Sequence, residues 1–318
     1  MLCLSIPQEA RTSGASAAHP TPKVGGLRDA FGHLTWSFRT SINDIWIFDG
    51  STSDDGGPPF RISPTTQMRA SMQTILITGC SSGFGLEIAR YFLERDWKVI
   101  ATMRKPREDI LPRSENLRVL ALDVADPESI RQAVEAAGPI DVLVNNAGIG
   151  FLNAVEGTPM ETAREIFETN TLGTIAMTQA VLPQFRQHKA GVVVNVTSSV
   201  TVKPLHLLSV YTASKAAVNA FTESLALELE QFNVRVRIVL PGRAPETKFG
   251  DNARSRMQAG FPEPYADLVK SVFERWEQST KVTLSADVAE AVWRAANDPS
   301  SPMRIPAGAD AVEWAGQK

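Results

Sequence analysis

The sequence predicts an α/β protein built on one doubly wound parallel sheet of about seven strands, with helices on both faces. Three observations predict it. A short apolar strand, Thr74 to Thr78, runs into a glycine-rich turn and then a helix. Downstream, runs of Val, Ile and Leu alternate with stretches whose apolar residues recur every three to four positions. No composition break divides residues 72–318, so they read as a single domain. Strands that alternate with helices pair in parallel and are covered on both sides. In such sheets ligands gather at the carboxyl ends of the strands.

The first turn reads Thr78-Gly79-Cys80-Ser81-Ser82-Gly83-Phe84-Gly85, and the helix after it places Leu86, Ala89, Phe92 and Leu93 inward. Glycines let backbone N–H groups approach a pyrophosphate, and the helix start favours its negative charge. Glycine turns also serve as plain tight turns, but here strand and helix stand on the correct sides of it. The second strand, Val99 to Thr102, ends in Met103-Arg104-Lys105. An acidic residue at such a strand end would hold a ribose 2′-OH, whereas Arg104 offers a planar fork to a 2′-phosphate, which points to NADP over NAD.

Leu117 to Leu122 forms a third strand closed by Asp123-Val124, and Val142 to Val144 a fourth that enters Asn145-Asn146-Ala147-Gly148. Amides at a strand end either tie neighbouring backbone together or meet a ligand. A long amphipathic helix is expected over Ala163 to Gln187, containing Asn170. Gly191 to Val196, Val234 to Val239 and Met303 to Pro306 complete the strands.

Tyr211-Thr-Ala-Ser-Lys215 opens a further helix carrying Ala216, Val218, Phe221, Leu225 and Leu229. Tyr211 and Lys215 stand four apart and share a face. An ammonium beside a phenol favours the phenolate, so a group of pKa about 10 can be brought toward neutral pH and exchange a proton with a substrate oxygen. Taken alone, such a pair is more often a packed ring and a solvated amine. Its weight comes from the other motifs.

Composition narrows the function classes. The 318 residues are 43% hydrophobic and 21% charged, with net charge −3, which supplies no basic field for nucleic acid or an anionic membrane. Two cysteines, Cys3 and Cys80, make no disulfide framework, and no Cys/His cluster has metal-binding spacing, so no metal is expected. No apolar run approaches the roughly 20 residues of a membrane-spanning helix. A reducing, cytoplasmic setting is the expectation. Residues 1–71 are rich in Gly, Pro, Ser and Thr and carry no secretion-signal pattern. They read as a disordered extension, or as an artefact of a start codon that truly lies at Met68 or Met72.

Thr78-Gly79-x-x-x-Gly83-x-Gly85, Asp123, Asn145-Asn146-Ala147-Gly148, Asn170, Ser198, Tyr211-x-x-x-Lys215 and Pro241-Gly242 stand in the order and approximate spacing of the short-chain dehydrogenase/reductase family. From Met72 onward the chain resembles that family, in its shorter, ketoreductase-like branch and its NADP-preferring, hydroxysteroid-dehydrogenase-like members. The resemblance implies a Rossmann-type fold and an oxidoreductase that interconverts a carbonyl and a secondary alcohol. It gives Tyr211 the role of proton donor and acceptor, Lys215 that of lowering its pKa and holding the nicotinamide ribose, and Ser198, thirteen residues before Tyr211, that of binding the substrate oxygen. Ser199 is the neighbour that could be mistaken for it. Asn170 would position a water linking Lys215 to solvent.

The dinucleotide would meet Gly79, Ser81, Ser82, Gly83, Phe84 and Gly85, then Arg104, Asp123 and Val124, then Asn146, Ala147 and Gly148, and finally Tyr211, Lys215, Pro241 and Gly242. Asp96 stands where relatives commonly have Gly, in a turn whose left-handed backbone Asp tolerates. Arg243-Ala-Pro-Glu246 is one residue longer than the common pattern. A substrate lid is expected around 244–280, with Phe249, Met257, Phe261, Tyr265, Phe273 and Trp276, and with it a medium-sized, partly apolar ketone or alcohol. Family members are often dimers or tetramers, so a homo-oligomer is expected. The alternative is a catalytically silent dinucleotide-binding regulator or scaffold. Loss of Tyr211 or Lys215 would mark it, and both are present.

Overall fold

A computed structural model describes residues 72–317 except 255, 258 and 259. The expectations for residues 1–71 lie outside the described residues. In chain order the strands are β1 (Thr74–Ile77), β2 (Lys98–Met103), β3 (Leu117–Ala121), β4 (Val142–Asn145), β5 (Gly191–Val196), β6 (Val234–Pro241) and β7 (Arg304–Ala307). The helices are α1 (Gly83–Leu93), α2 (Pro127–Ala137), α3 (Met160–Phe167), α4 (Gly173–His188), α5 (Ser209–Leu229), α6 (Phe249–Arg254), α7 (Ala266–Gln278), α8 (Ser285–Asn297) and α9 (Ala309–Gly316).

All seven strands join one parallel sheet in the order β3-β2-β1-β4-β5-β6-β7. The order reverses between β1 and β4, which opens a crevice at their carboxyl ends.

Both faces of the sheet are buried because its strands are apolar at nearly every position. Ile75, Ile77, Val99, Val144 and Val194 point to one side and pack with Ile88 and Phe92 of α1 and Val288 and Val292 of α8. Leu76, Ile100, Leu143 and Val193 point to the other and meet Ile130 of α2, Met177, Val181 and Phe185 of α4 and Leu225 and Leu229 of α5. The inner face of α1 carries Leu86, Ala89, Phe92 and Leu93 as expected and gains Ile88. Ile88 is fully buried, whereas Leu86 and Leu93 are half-buried at its margin.

Helix ends are tied by side chains. Asp126 accepts from Glu128 N at 2.9 Å, with Pro127 in the first turn of α2. The Arg118 guanidinium donates to Ala136 O and Ala137 O, and that of Arg235 to Ala295 O and Ala296 O, so two helix C-termini meet a cation. Asp96 adopts φ 60°, the left-handed turn anticipated for it.

The long helix anticipated over Ala163 to Gln187 is interrupted. Glu168–Leu172 forms a π turn between α3 and α4. Its side chains explain the break: Asn170 and Thr171 bond across to Ser214 of α5, and Gly173 lets the backbone close on Val124 O at 2.8 Å from where a Cβ would stand. No helix among the described residues is long and apolar enough to cross a membrane, and no cluster of His, Cys, Asp or Glu there could hold a metal.

Candidate active site

The glycine turn leaves β1 and is held by β4. Thr78 Oγ1 accepts from Asn146 N at 3.0 Å and from Ala147 N at 2.9 Å, while Asn146 Nδ2 donates to Thr78 O and Gly79 O at 2.9 and 3.2 Å. Gly79 (φ 77°) stands so close to Ala147 that a Cβ would lie 2.8 Å from its Cα, and a Cβ on Gly85 would strike Gly79 O. These glycines therefore let turn, β4 and helix start pack together. Ser82 makes no side-chain cap at the start of α1, so its first N–H groups stay available to an anion. That donor set fits a pyrophosphate. Arg104 is exposed just past β2, whose Thr102 O accepts from Cys80 N of the turn at 2.9 Å.

Both Asn145 and Asn146 are engaged in tying backbone and neighbours: Asn145 Nδ2 donates to Thr178 Oγ1 and to Asn195 Oδ1. Asp123 caps its own turn, its carboxylate accepting from Ala125 N at 3.0 Å, and Val124 is packed against the π turn at Gly173.

The π turn aims Asn170 at α5. Its Oδ1 accepts from Ile149 N at 2.8 Å, and its Nδ2 donates to Ile149 O at 3.0 Å and to Ser214 Oγ at 3.1 Å. Gly148 lies between Asn170 and Lys215: a Cβ there would sit 3.2 Å from both Asn170 Oδ1 and Lys215 Nζ. Lys215 Nζ donates to Val196 O at the end of β5 at 3.1 Å. Ser198 and Tyr211 are both buried, and the Ser198 hydroxyl lies near enough to the phenol to lower its pKa. Ser199, by contrast, has a buried hydroxyl without a partner, so Ser198 is the serine brought to Tyr211.

The electrostatics differ from the acidified phenol anticipated above. Burial pushes Tyr211 up to about 12, with the Ser198 hydroxyl pulling the other way. Burial lowers Lys215 to about 8. Withdrawal from water disfavours the charged form of each group. At neutral pH the site thus holds a protonated phenol and an ammonium that gives up its proton readily.

Pro241 ends β6, and a buried polar knot fixes Gly242 and Arg243 beyond it. Gly242 N donates to Thr283 Oγ1 at 2.8 Å, Arg243 N to Asp310 Oδ2 at 2.6 Å, and Thr283 Oγ1 to Asp310 Oδ1 at 2.7 Å. Thr247, farther along, stands 3.4 Å from where a Cβ on Gly83 would be, so the chain returns over the glycine turn. Phe249 then lies beside Tyr211, ring centroids 5.8 Å apart at 60°. Asn153, Thr283, Asp310 and Thr247 carry no motif in sequence. The one readable signal was Asp310, an acid in the first turn of α9.

Comparison with known proteins identifies the family. The family model for short chain dehydrogenase matches residues 73–258. The chain belongs to the short-chain dehydrogenase family. A 3-ketodihydrosphingosine reductase of Bacteroides thetaiotaomicron is 40% identical over 199 residues, which cover 61% of this chain and 72% of the relative. Human retinol dehydrogenase 8 is 37% identical over 186 residues, 55% of this chain and 60% of the relative. The chain thus spans about three-fifths to seven-tenths of the length of these relatives. A solved serine dehydrogenase complexed with NADP+ superimposes with a TM-score of 0.64 at 28% identity, over 75% of this chain and 95% of that one. This short-chain dehydrogenase is accordingly an oxidoreductase acting between CH–OH and C=O with a nicotinamide dinucleotide.

Proposed function

We propose that the enzyme is NADP(H)-dependent and interconverts a partly apolar ketone and its secondary alcohol, with Tyr211 as general acid and base. The observation that carries this reading is the burial of the Ser198 and Tyr211 hydroxyls beside each other, with Lys215 one turn along the helix of Tyr211. The bound dinucleotide supplies the hydride chemistry. The chain's residues supply a place for the oxygen and one proton. Ser198 and Tyr211 hydroxyls receive the substrate oxygen. Tyr211, neutral because burial holds its pKa near 12, gives its proton as charge builds on that oxygen. The Lys215 ammonium lies on the same helix face and eases loss of that proton. In alcohol oxidation the proton returns along the same path.

Arg104 would take the 2′-phosphate, and the uncapped start of α1 the pyrophosphate. The substrate wall is apolar: Leu152, Leu207 and Val272 are buried together, with Phe261, Phe273 and Trp276 against them. That wall supports a substrate with an apolar body. The test is Tyr211→Phe. Reduction of carbonyl compounds, followed by NADPH absorbance, should fall by at least about 100-fold while NADPH binding stays nearly intact. Comparable turnover in the variant would refute the assignment.

A further inference from the structure

Asn153 is a polar residue in an apolar neighbourhood. It is 4% exposed and stands between Leu152 and Ala154, which are buried in the cluster that holds Leu207 and Val272. A buried carboxamide is costly unless its groups are bonded. Here they are, and the partners come from two segments, residues 154–157 and Gly260. Asn153 Nδ2 donates to Gly157 O at 3.2 Å and to Gly260 O at 3.0 Å, the latter 107 residues along the chain. Its Oδ1 accepts from Ala154 N at 2.8 Å. Its backbone N–H donates at 2.9 Å to Leu207 O in the loop that leads to Tyr211.

Leu207 has φ 63°, a conformation that a bulky residue adopts only when its surroundings impose it. The Asn153 N–H and the apolar cluster are those surroundings. Two further contacts join the same segments. Tyr265 OH donates to Glu156 Oε2 at 3.3 Å, and the Pro262 ring lies 2.7 Å from where a Cβ on Gly157 would stand.

We propose that Asn153 is a positioning residue for the substrate side of the cleft. Its carboxamide joins the loop after β4 to the chain around Gly260, and its backbone N–H ties that pair to the loop before Tyr211. This rests on the Tyr211 cleft being the reaction site. Only an amide of this length offers two donors at that point; Asn153→Asp keeps the shape and, ionised, donates nothing.

The experiment compares wild type and Asn153→Asp by hydrogen exchange of the full chain, with NADPH affinity and reduction of 1-tetralone measured alongside. Peptides covering 154–158 and 260–265, which carry the carbonyls that the carboxamide holds, should exchange about 10-fold faster in the variant, the effect of losing neutral hydrogen bonds. Strand peptides 75–77 and 192–196 should be unchanged, and NADPH affinity should stay within about twofold, while KM for the ketone rises about 10-fold at nearly constant kcat. Unchanged exchange at 154–158 and 260–265 overturns the proposal. So does a loss of NADPH affinity equal to the rise in KM, since that reports general loosening. If strand peptides of Asn153→Asp exchange as in an unfolded chain, Asn153→Ser, which keeps the backbone bond to Leu207 and loses both carboxamide bonds, decides by the same criteria. Turnover in Tyr211→Phe would remove the reaction-site reading, and the exchange comparison would still decide the role of Asn153.

Discussion

Lys215→Met should make the protein more stable while abolishing turnover. The lysine is 5% exposed, and burial lowers its pKa from 10.5 to about 8. At ~1.4 kcal/mol for each tenfold change in proton affinity, keeping the ammonium in the fold costs ~3 kcal/mol. Methionine has a similar unbranched shape and carries no charge. It forfeits the bond to Val196 O, worth ~1 kcal/mol, so the variant should gain ~2 kcal/mol at pH 7. The sign follows from the two protonation states. Below pH 8 the lysine is charged both folded and unfolded, and the full cost is present. Between pH 8 and 10.5 the folded lysine is neutral while the unfolded one still binds its proton, so wild type recovers stability as pH rises. The advantage of Lys215→Met over wild type should therefore be ~2 kcal/mol larger at pH 7 than at pH 10. Urea unfolding followed by tryptophan fluorescence at the two pH values measures both numbers. A variant less stable than wild type at pH 7, or an advantage that ignores pH, would refute the reasoning. In wild type the same titration should lower reductase turnover as pH rises through about 8, where the ammonium is lost.

Arg104→Ala should weaken NADPH binding by about 10-fold, ~1.4 kcal/mol, and leave NADH within about twofold. Equal losses, measured by fluorescence titration, would place the 2′-phosphate elsewhere. Asp310→Ala should cost ~2 to 4 kcal/mol of stability, because Arg243 N and Thr283 Oγ1 both lose a buried acceptor. Asp310→Asn keeps an acceptor for Arg243 N and should recover most of that loss. Melting curves of the two variants check it, and equal losses would show that the carboxylate's hydrogen bonds do not hold the knot.

Near-neighbour patterns made most of this protein legible before any coordinates. Strands, the glycine turn and the Tyr211–Lys215 face are set by residues within a few positions of one another, and alternating apolar strands with helices leaves little choice but a parallel sheet. Ser198 and Asn170 were readable as site residues only because they match a family's spacing.

What the chain's linear order could not show depends on contacts between distant residues. The break in the helix at Asn170 arises from bonds to Ser214, 44 positions away, which no local propensity encodes. Asn153 reaches Gly260 across 107 positions and Arg243 reaches Asp310 across 67, and both are ordinary loop or helix residues until the fold closes. The pKa values of Tyr211 and Lys215 belong to this second class: residue spacing shows that a cation and a phenol are neighbours, but only burial decides that loss of water dominates their titration.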